Sequence, residues 1–371
     1  MEKYFLGSNT HSGFVGFYEE ITDNIGRVYL LKGGAGTGKS SLIRKVIKRG
    51  IDLGFCCEGW HCSGDPRSLD GVYIKGLDVA VIDATSPHAI EPKIPAVKDD
   101  IVNLLEYVEK GKLCKHKDVI EKLSNGKKES YKCGYEHLNI GYCHFSQISR
   151  MISSSMNRDG IICEARHFAL DLLKKLRCEY DRAEGAFGDK INGKFDDKAD
   201  GESGGVKIRK RFYRAITPDG IVGFFEHLEG KELWHIKGES ATVNLFMKTA
   251  LDVVLRKCSK DIGLLLTVFY NPLDATIIDG FTMGNVAVVC EVDGCGSAEV
   301  YDLRCYEGDY DKYAVSRARM KMKDEIDLAV DYFSKARSFH MSIEKYYTAS
   351  MDFDGINDRT ERLIEEIFKG I

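Results

Sequence analysis

Gly33-Gly34-Ala35-Gly36-Thr37-Gly38-Lys39-Ser40 satisfies every fixed position of the pattern G-x-x-x-x-G-K-[ST]. These residue types at this spacing suit a polyphosphate. Glycines let the backbone turn its N–H groups inward as a nest for phosphate oxygens, and a helix starting at Lys39 would aim its free amides and its dipole at the same anion. Lys39 would reach the terminal phosphates and stabilise charge on the transferring group, while the Ser40 hydroxyl would ligate Mg²⁺. Ser41 completes the set of loop residues assigned to the nucleotide.

The metal needs a second, acidic support. Val79-Ala80-Val81-Ile82-Asp83 has the required form, four apolar residues and then a carboxylate. Asp83 is expected to hold Mg²⁺ with Ser40, the alternative being an aspartate that only starts a turn. Ala84 follows, so an adjacent glutamate base is missing. Glu58, after the apolar Phe55-Cys56-Cys57, is the candidate catalytic base, expected at the carboxyl end of a strand where ligands of parallel sheets collect. A solvated turn carboxylate is the other reading. His61, Asp65, Arg67 and Asp70 occupy the next segment, which either senses the γ-phosphate or holds a second substrate, or is a self-bonded turn built by Asp65-Pro66 and Asp70-Gly71.

The elements that must position these groups follow from apolar patterning. Arg27–Lys32 reads as a buried strand, and Lys39–Arg49 as a helix with Leu42, Ile43, Val46 and Ile47 on one face. Phe55–Cys57 and Val79–Ile82 read as further core strands. From Val97 to about Phe187 the pattern is mostly helical, with Ile101, Leu104, Leu105 and Val108 as one stripe. Strands alternating with helices predict an α/β fold, a mainly parallel sheet flanked by helices.

The chain also repeats itself. Thr10, Gly13, Val15, Gly16, Phe17 and Glu19 match Thr217, Gly220, Val222, Gly223, Phe224 and Glu226, a constant offset of 207 positions (220 − 13). Lys32-Gly33 matches Lys237-Gly238, Leu69-Asp70 with Gly76 matches Leu273-Asp274 with Gly280, and Val79-Ala80-Val81 matches Val286-Ala287-Val288. Two tandem P-loop NTPase-like domains are therefore expected, 1–187 and 207–371, joined by a Gly-, Asp- and Lys-rich connector at 188–206. The second copy has Lys237-Gly238-Glu239-Ser240-Ala241-Thr242-Val243-Asn244-Leu245, with Asn244 at the Lys39 position and Leu245 at that of Ser40. Cys290, beside Glu291, stands at the Asp83 position and Thr267 near that of Glu58. The second copy keeps the core and loses the chemistry, a degenerate phosphate loop.

With motif and duplication together, the chain resembles a family of bacterial two-copy P-loop proteins, common in Firmicutes and described mainly as ATPases. The resemblance rests on the segment around Thr10 and Gly13, on Lys32 through Ser40, on His61-Cys62-Ser63-Gly64-Asp65-Pro66 and Ser68-Leu69-Asp70-Gly71, and on Val81-Ile82-Asp83-Ala84-Thr85-Ser86-Pro87-His88. Such members often keep a phosphate loop in the second copy, and this chain departs from them there. The resemblance implies ATP binding.

Composition bounds the rest. The 371 residues, 43% apolar and 30% charged, suit two globular domains, and a net charge of −4 suggests neither a nucleic-acid coat nor a membrane-surface binder. The first residues, Met1-Glu2-Lys3-Tyr4-Phe5, lack the features of a secretory signal, so a cytoplasmic protein with its twelve cysteines reduced is expected. Cys114, His116, Cys133, His137, Cys143 and His144 match no zinc spacing, and Lys207, Arg209, Lys210 and Arg211 read as a solvated linker end.

The function expected first is a Mg²⁺-dependent ATPase acting in the first copy. A small-molecule or nucleotide kinase, or an ATP-gated interaction module with negligible turnover, are the alternatives. No N-K-x-D guanine-reading motif is present, which favours adenine. The expected ligands are ATP and Mg²⁺, with an additional protein partner or a homo-oligomer open; no membrane and no nucleic acid are expected.

Overall fold

The computed structural model describes residues 1–186, 206–258, 265–290 and 298–369. The expected connector, 188–206, lies outside them except for Val206, and so does Glu291. The first half holds strands β1 (Glu2–Phe5), β2 (Gly7–Thr10), β3 (Gly13–Gly16), β4 (Arg27–Lys32), β5 (Cys57–His61), β6 (Leu69–Ile74), β7 (Val79–Asp83) and β8 (Asp99–Asn103). Its helices are α1 (Tyr18–Asp23), α2 (Lys39–Asp52), α3 (Lys110–Cys114), α4 (Lys117–Ser153) and α5 (Arg158–Ala186). The second half holds β9 (Lys207–Arg211), β10 (Arg214–Thr217), β11 (Gly220–Gly223), β12 (Glu232–Lys237), β13 (Leu265–Tyr270), β14 (Ile278–Met283), β15 (Val286–Val289) and β16 (Glu299–Asp302). Helices α6 (Ser240–Lys257), α7 (Lys312–Thr348) and α8 (Phe353–Ile367) complete it.

Each half is α/β, with a six-stranded mixed sheet flanked by helices. The order β1-β5-β6-β7-β4-β8 in the first sheet recurs strand for strand as β9-β13-β14-β15-β12-β16 in the second. All neighbours are parallel except those of β6 and β14, which run against the rest. Phe5 and Phe212, separated by the same offset of 207 (212 − 5), exchange both backbone hydrogen bonds at 2.9 Å, so equivalent residues meet where the halves join.

Several elements differ from expectation. β6 occupies part of the segment read as a turn: Asp70-Gly71 looks like a turn signal, but Gly71 lies opposite Ile82 in the sheet, where a Cβ would sit 2.9 Å from the Val81 carbonyl. The same close approach fixes Gly280 opposite Val289, so Asp70-Gly71 corresponds to Asp279-Gly280 and not to the pair read from sequence. Residues 99–103 form a strand on β4 and not the start of a helical stripe; Ile101 and Leu105 are exposed, and the long helices begin only after Val108. Lys207–Arg211 is no solvated linker end, because it forms β9 on β13 and Arg211 is buried.

The two sheets pack face to face, Tyr4, Trp60, Ala80 and Ile82 sharing an apolar cluster with Tyr213, Phe269, Ala287 and Val289. The outer faces are covered by exchange. On the first sheet, α2 is joined by Leu363, Ile364, Ile367 and Phe368 from the end of the chain. On the second, α6 is joined by Ile161, Ala165, Phe168 and Leu172 of α5. Neither expected domain, 1–187 or 207–371, therefore owns its whole core. The halves are bound further by α4 and α7, an antiparallel pair. Gly134 of α4 makes their close approach possible, since a Cβ there would lie 2.5 Å from the Phe333 ring of α7. Among the described residues no helix is long and apolar enough to cross a membrane, and Cys56, Cys57, Cys62, Cys114, Cys133, Cys143, Cys163, Cys258, Cys290 and Cys305 are unbridged.

Candidate functional site

Between β4 and α2 the chain runs Gly33 to Gly38 as a loop. Gly36 and Gly38 have φ of 71° and 85°, left-handed values that glycine adopts without the Cβ clash of other residues. Gly38 caps α2, whose Leu42, Ile43, Val46 and Ile47 are buried and anchor the helix to the sheet. The loop is self-braced: the Thr37 hydroxyl donates to the Gly34 carbonyl at 2.9 Å, and a Cβ on Gly33 would meet that hydroxyl at 2.4 Å. Lys39 Nζ folds back, donating to the carbonyls of Gly33 and Gly34 at 2.8 and 2.7 Å, and lies 3.7 Å from Asp83 Oδ2. Asp83 is delivered by β7, the direct neighbour of β4, with Asp83 opposite Leu31. Its Oδ1 accepts from Thr85, so Oδ2 is the oxygen facing the lysine. The Ser40 hydroxyl oxygen accepts the Leu69 amide at 3.1 Å, tying α2 to the start of β6. Lys39 and Asp83 are thus brought together beside the glycine-rich loop.

Glu58 is not. The strand expected to end at Cys57 instead begins there and runs to His61, so Glu58 lies near its amino end. Cys57 faces the α2 cluster, while Glu58 and Trp60 take the opposite side of the pleat, toward the other half. There the Glu58 carboxylate accepts from Trp60 Nε1 at 2.7 Å and Arg211 Nε at 2.6 Å, with Arg209 Nη1 at 3.5 Å. Burial pushes its pKa up, but Arg211 and then Arg209 outweigh this and hold it below the usual carboxylate value. Glu58 is a structural counterion and not a base at the loop.

Sequence reasoning missed the groups that α4 and α7 bring over the loop. Lys127 Nζ lies 3.2 Å from His340 Nδ1. Burial, with the charge of Lys39 adding to it, pulls the Lys127 pKa down, and burial beside Lys127 and Lys39 holds His340 at about 4. Glu344 approaches from the last turns of α7. Burial and Asp65 push its carboxyl up, opposed by a hydrogen bond from the Gly36 amide and by Lys39. The same helix abuts the loop backbone: a Cβ on Gly36 would lie 2.9 Å from the Glu344 carbonyl, and one on Gly34 would lie 2.8 Å from the Tyr347 ring. No motif marks these residues, because their proximity depends on which helix crosses which sheet.

Of the segment after β5, Arg67 pairs with Asp65 on the surface, the His61 ring lies 2.7 Å from the Pro66 carbonyl, and Ser68 N–H donates to the Asp65 carbonyl at 2.8 Å. The self-bonded turn holds for 62–68. Asp70, carried inward by β6, lies instead beside Asp83 and His88, ligand atoms of the three falling within 4.8 Å of one another. Its pKa is raised by burial and by Asp83, against the pull of His88.

The second half lacks the loop altogether. β12 ends at Lys237 and α6 starts at Ser240, leaving only Gly238-Glu239 between them. Ala241 and Val243 stand where Gly36 and Gly38 stand, and residues with a Cβ favour continuing the helix over a left-handed turn. Asn244, expected at a loop end, is helical and its side chain accepts the Ile278 amide at 3.3 Å. The Glu239 amide is taken by the Glu307 carboxylate at 2.6 Å, and the Glu239 carboxylate by Arg319. No family model, no curated protein and no solved structure matches this chain, so the reading of the site rests on its geometry.

Proposed function

We propose that the first half binds ATP with Mg²⁺ at Gly33–Ser41 and hydrolyses it slowly, the second half acting as scaffold and cover. One observation carries this reading: two left-handed glycines turn the chain into α2 beside Lys39, and a second lysine, Lys127, is half-buried within its field. Amides of Gly34 through Ser41 and the α2 dipole would hold the phosphate tail. Lys39 would leave the Gly33 and Gly34 carbonyls for the terminal phosphates, and Lys127 would gain the anionic partner it now lacks in neutral His340. Ser40 and Asp83 offer the hard oxygen donors that Mg²⁺ prefers, and the ion would neutralise charge on the phosphates. With Glu58 held by Arg211, the carboxylate expected as base is turned away from the loop, which favours slow turnover. Membership of the two-copy P-loop family and a cytoplasmic setting belong to the same proposal.

The test is calorimetric. Wild-type protein is expected to bind ATP–Mg²⁺ and release phosphate, and Lys39→Ala to lose both. Unchanged ATP affinity in that variant refutes the assignment. A kinase would release ADP only when an acceptor is supplied, so metabolite pools belong in the same assay.

The gated-module reading is favoured by one contact. The last turns of α7 lie on the loop, and Glu344 engages Gly36, so a triphosphate entering there must shift α7 against α4. Limited proteolysis with and without a non-hydrolysable ATP analogue tests it; an identical cleavage pattern at saturation rejects such gating.

A further inference from the structure

We propose that Asp70, Asp83 and His88 form a binding site for one divalent first-row transition metal, Mn²⁺ or Zn²⁺, filled without nucleotide. The three side chains come from the interior of β6, the end of β7 and the turn that follows, and they are only 3%, 9% and 7% exposed. One ligand atom from each lies within 4.8 Å of the others, so a single ion can be reached by all three with small side-chain adjustments.

The imidazole is the telling group. His88 is wedged between the rings of Tyr18 and Phe14, with centroids at 4.8 and 5.5 Å. Its Nδ1 has no hydrogen-bond partner, and Nε2 stands 3.5 Å from Asp70 Oδ2, longer than an ordinary hydrogen bond. Nε2 is the nitrogen that meets the carboxylates, and a buried imidazole without a full-strength hydrogen bond there costs free energy that metal ligation through Nε2 can recover.

The second half supplies an internal contrast. Asp279 corresponds to Asp70, and there Arg214 Nη2 lies 2.6 Å from Asp279 Oδ2, in a buried pair. The residue equivalent to Arg214 is Gly7, which has no side chain, and the residue equivalent to Asp83 is Cys290. So the second half neutralises one buried carboxylate with a guanidinium, whereas the first half has no arginine there and sets a second carboxylate, Asp83, and the His88 imidazole beside the first. Tyr18 donates to Asp70 Oδ2 at 3.0 Å, and Lys39 reaches only Asp83. A dication would balance the pair of carboxylates. One nitrogen with two oxygens selects Mn²⁺ or Zn²⁺ over Ca²⁺ or Mg²⁺, which take oxygen alone.

Asp83 is shared with the proposed Mg²⁺ position, but Asp70 and His88 are not part of the ATP reading, which makes the two separable. Chelated, nucleotide-free protein is titrated with Mn²⁺, following the loss of free-ion paramagnetic resonance, and with Zn²⁺ against a chromophoric chelator. Wild type is expected to take one equivalent, with ¹⁴N modulation from imidazole in the bound Mn²⁺ signal. His88→Gln and Asp70→Asn should weaken binding about tenfold or more and lose the metal-dependent rise in Tm. Lys39→Ala should bind the metal as well as or better than wild type even though it loses ATP. Circular dichroism of the metal-free variants checks that they fold, and the ¹⁴N signal of the wild type judges the site without them. The proposal is overturned if wild type takes no stoichiometric metal, if the bound Mn²⁺ shows no nitrogen, or if folded His88→Gln binds as tightly as wild type.

Discussion

Glu58 Oε1 lies 2.6 Å from Arg211 Nε, an ion pair that joins the two halves with both side chains almost wholly buried. Removing one partner leaves the other charge without compensation, so Arg211→Met should cost about 3–5 kcal/mol in urea unfolding at neutral pH. Glu58→Leu combined with Arg211→Met should recover much of that loss. Because the folded-state pKa of Glu58 is depressed, its contribution is complete above the unfolded carboxylate pKa and is lost as pH falls through the folded value. The stability gap between wild type and Glu58→Gln should therefore be constant near neutrality and close in the acid range. Phosphate release by folded Glu58→Gln should match wild type; a large loss would restore a catalytic role.

Glu344 presents a carboxylate to the same loop amide that a phosphate would use. Glu344→Gln should raise ATP affinity about fivefold, the yield of roughly 1 kcal/mol of relieved repulsion. Its pKa is raised, so wild-type affinity should climb toward that of the variant as pH falls and the carboxyl is protonated. Calorimetry from neutral to mildly acid pH reads both effects, and using the variant as reference cancels protonation of the nucleotide itself. Weaker binding by Glu344→Gln would mean that the carboxylate supports the ligand instead.

Lys127 and His340 lose proton affinity to burial and to their neighbours' positive charge, His340 to about 4. An arriving phosphate supplies the missing negative charge and raises both pKa values. ATP binding should therefore take up protons in the mildly acid range above the His340 value and weaken as pH rises through it. Calorimetry in two buffers of different ionisation enthalpy measures the uptake directly. His340→Gln should reduce it, and Lys127→Met should cost about tenfold or more in affinity, an effect that added salt diminishes.

What was legible in the sequence is what local pattern encodes. β4, the glycine turn, α2 and the run ending in Asp83 follow from short-range residue order, and the 207-residue offset reveals the duplication. β6 was hidden because Asp-Gly is ordinarily a turn signal, and only pressure from the Val81 carbonyl makes glycine necessary inside the sheet. Glu58 was misread because its counterion stands 153 residues away. Asp70 reaches Asp83 because β6 pairs with β7, His88 because the turn after β7 folds back, and Lys127, His340 and Glu344 depend on two helices crossing. Hydrophobic periodicity says that a helix has an apolar face, not which sheet that face covers.

The exchange of covering helices makes a prediction of its own. Leu363 belongs by sequence to the second half, yet it is fully buried in the cluster that contains Leu42, Ile43 and Val46 of α2. Phe168 belongs to the first half and is buried against Phe246 of α6, ring centroids 5.3 Å apart. Leu363→Ala should cost about 2–5 kcal/mol and Phe168→Ala about 3–5 kcal/mol. Hydrogen exchange separates the consequences. Leu363→Ala should speed exchange in β4 and α2 and, by loosening the helix that carries Lys39, weaken ATP binding, while β12 and α6 stay protected. Phe168→Ala should do the reverse, loosening β12 and α6 and leaving ATP affinity near that of wild type. If each substitution instead loosened the sheet of its own half of the sequence, the helices would not be exchanged, and the site on α2 would have to be reinterpreted as the property of a self-contained first domain.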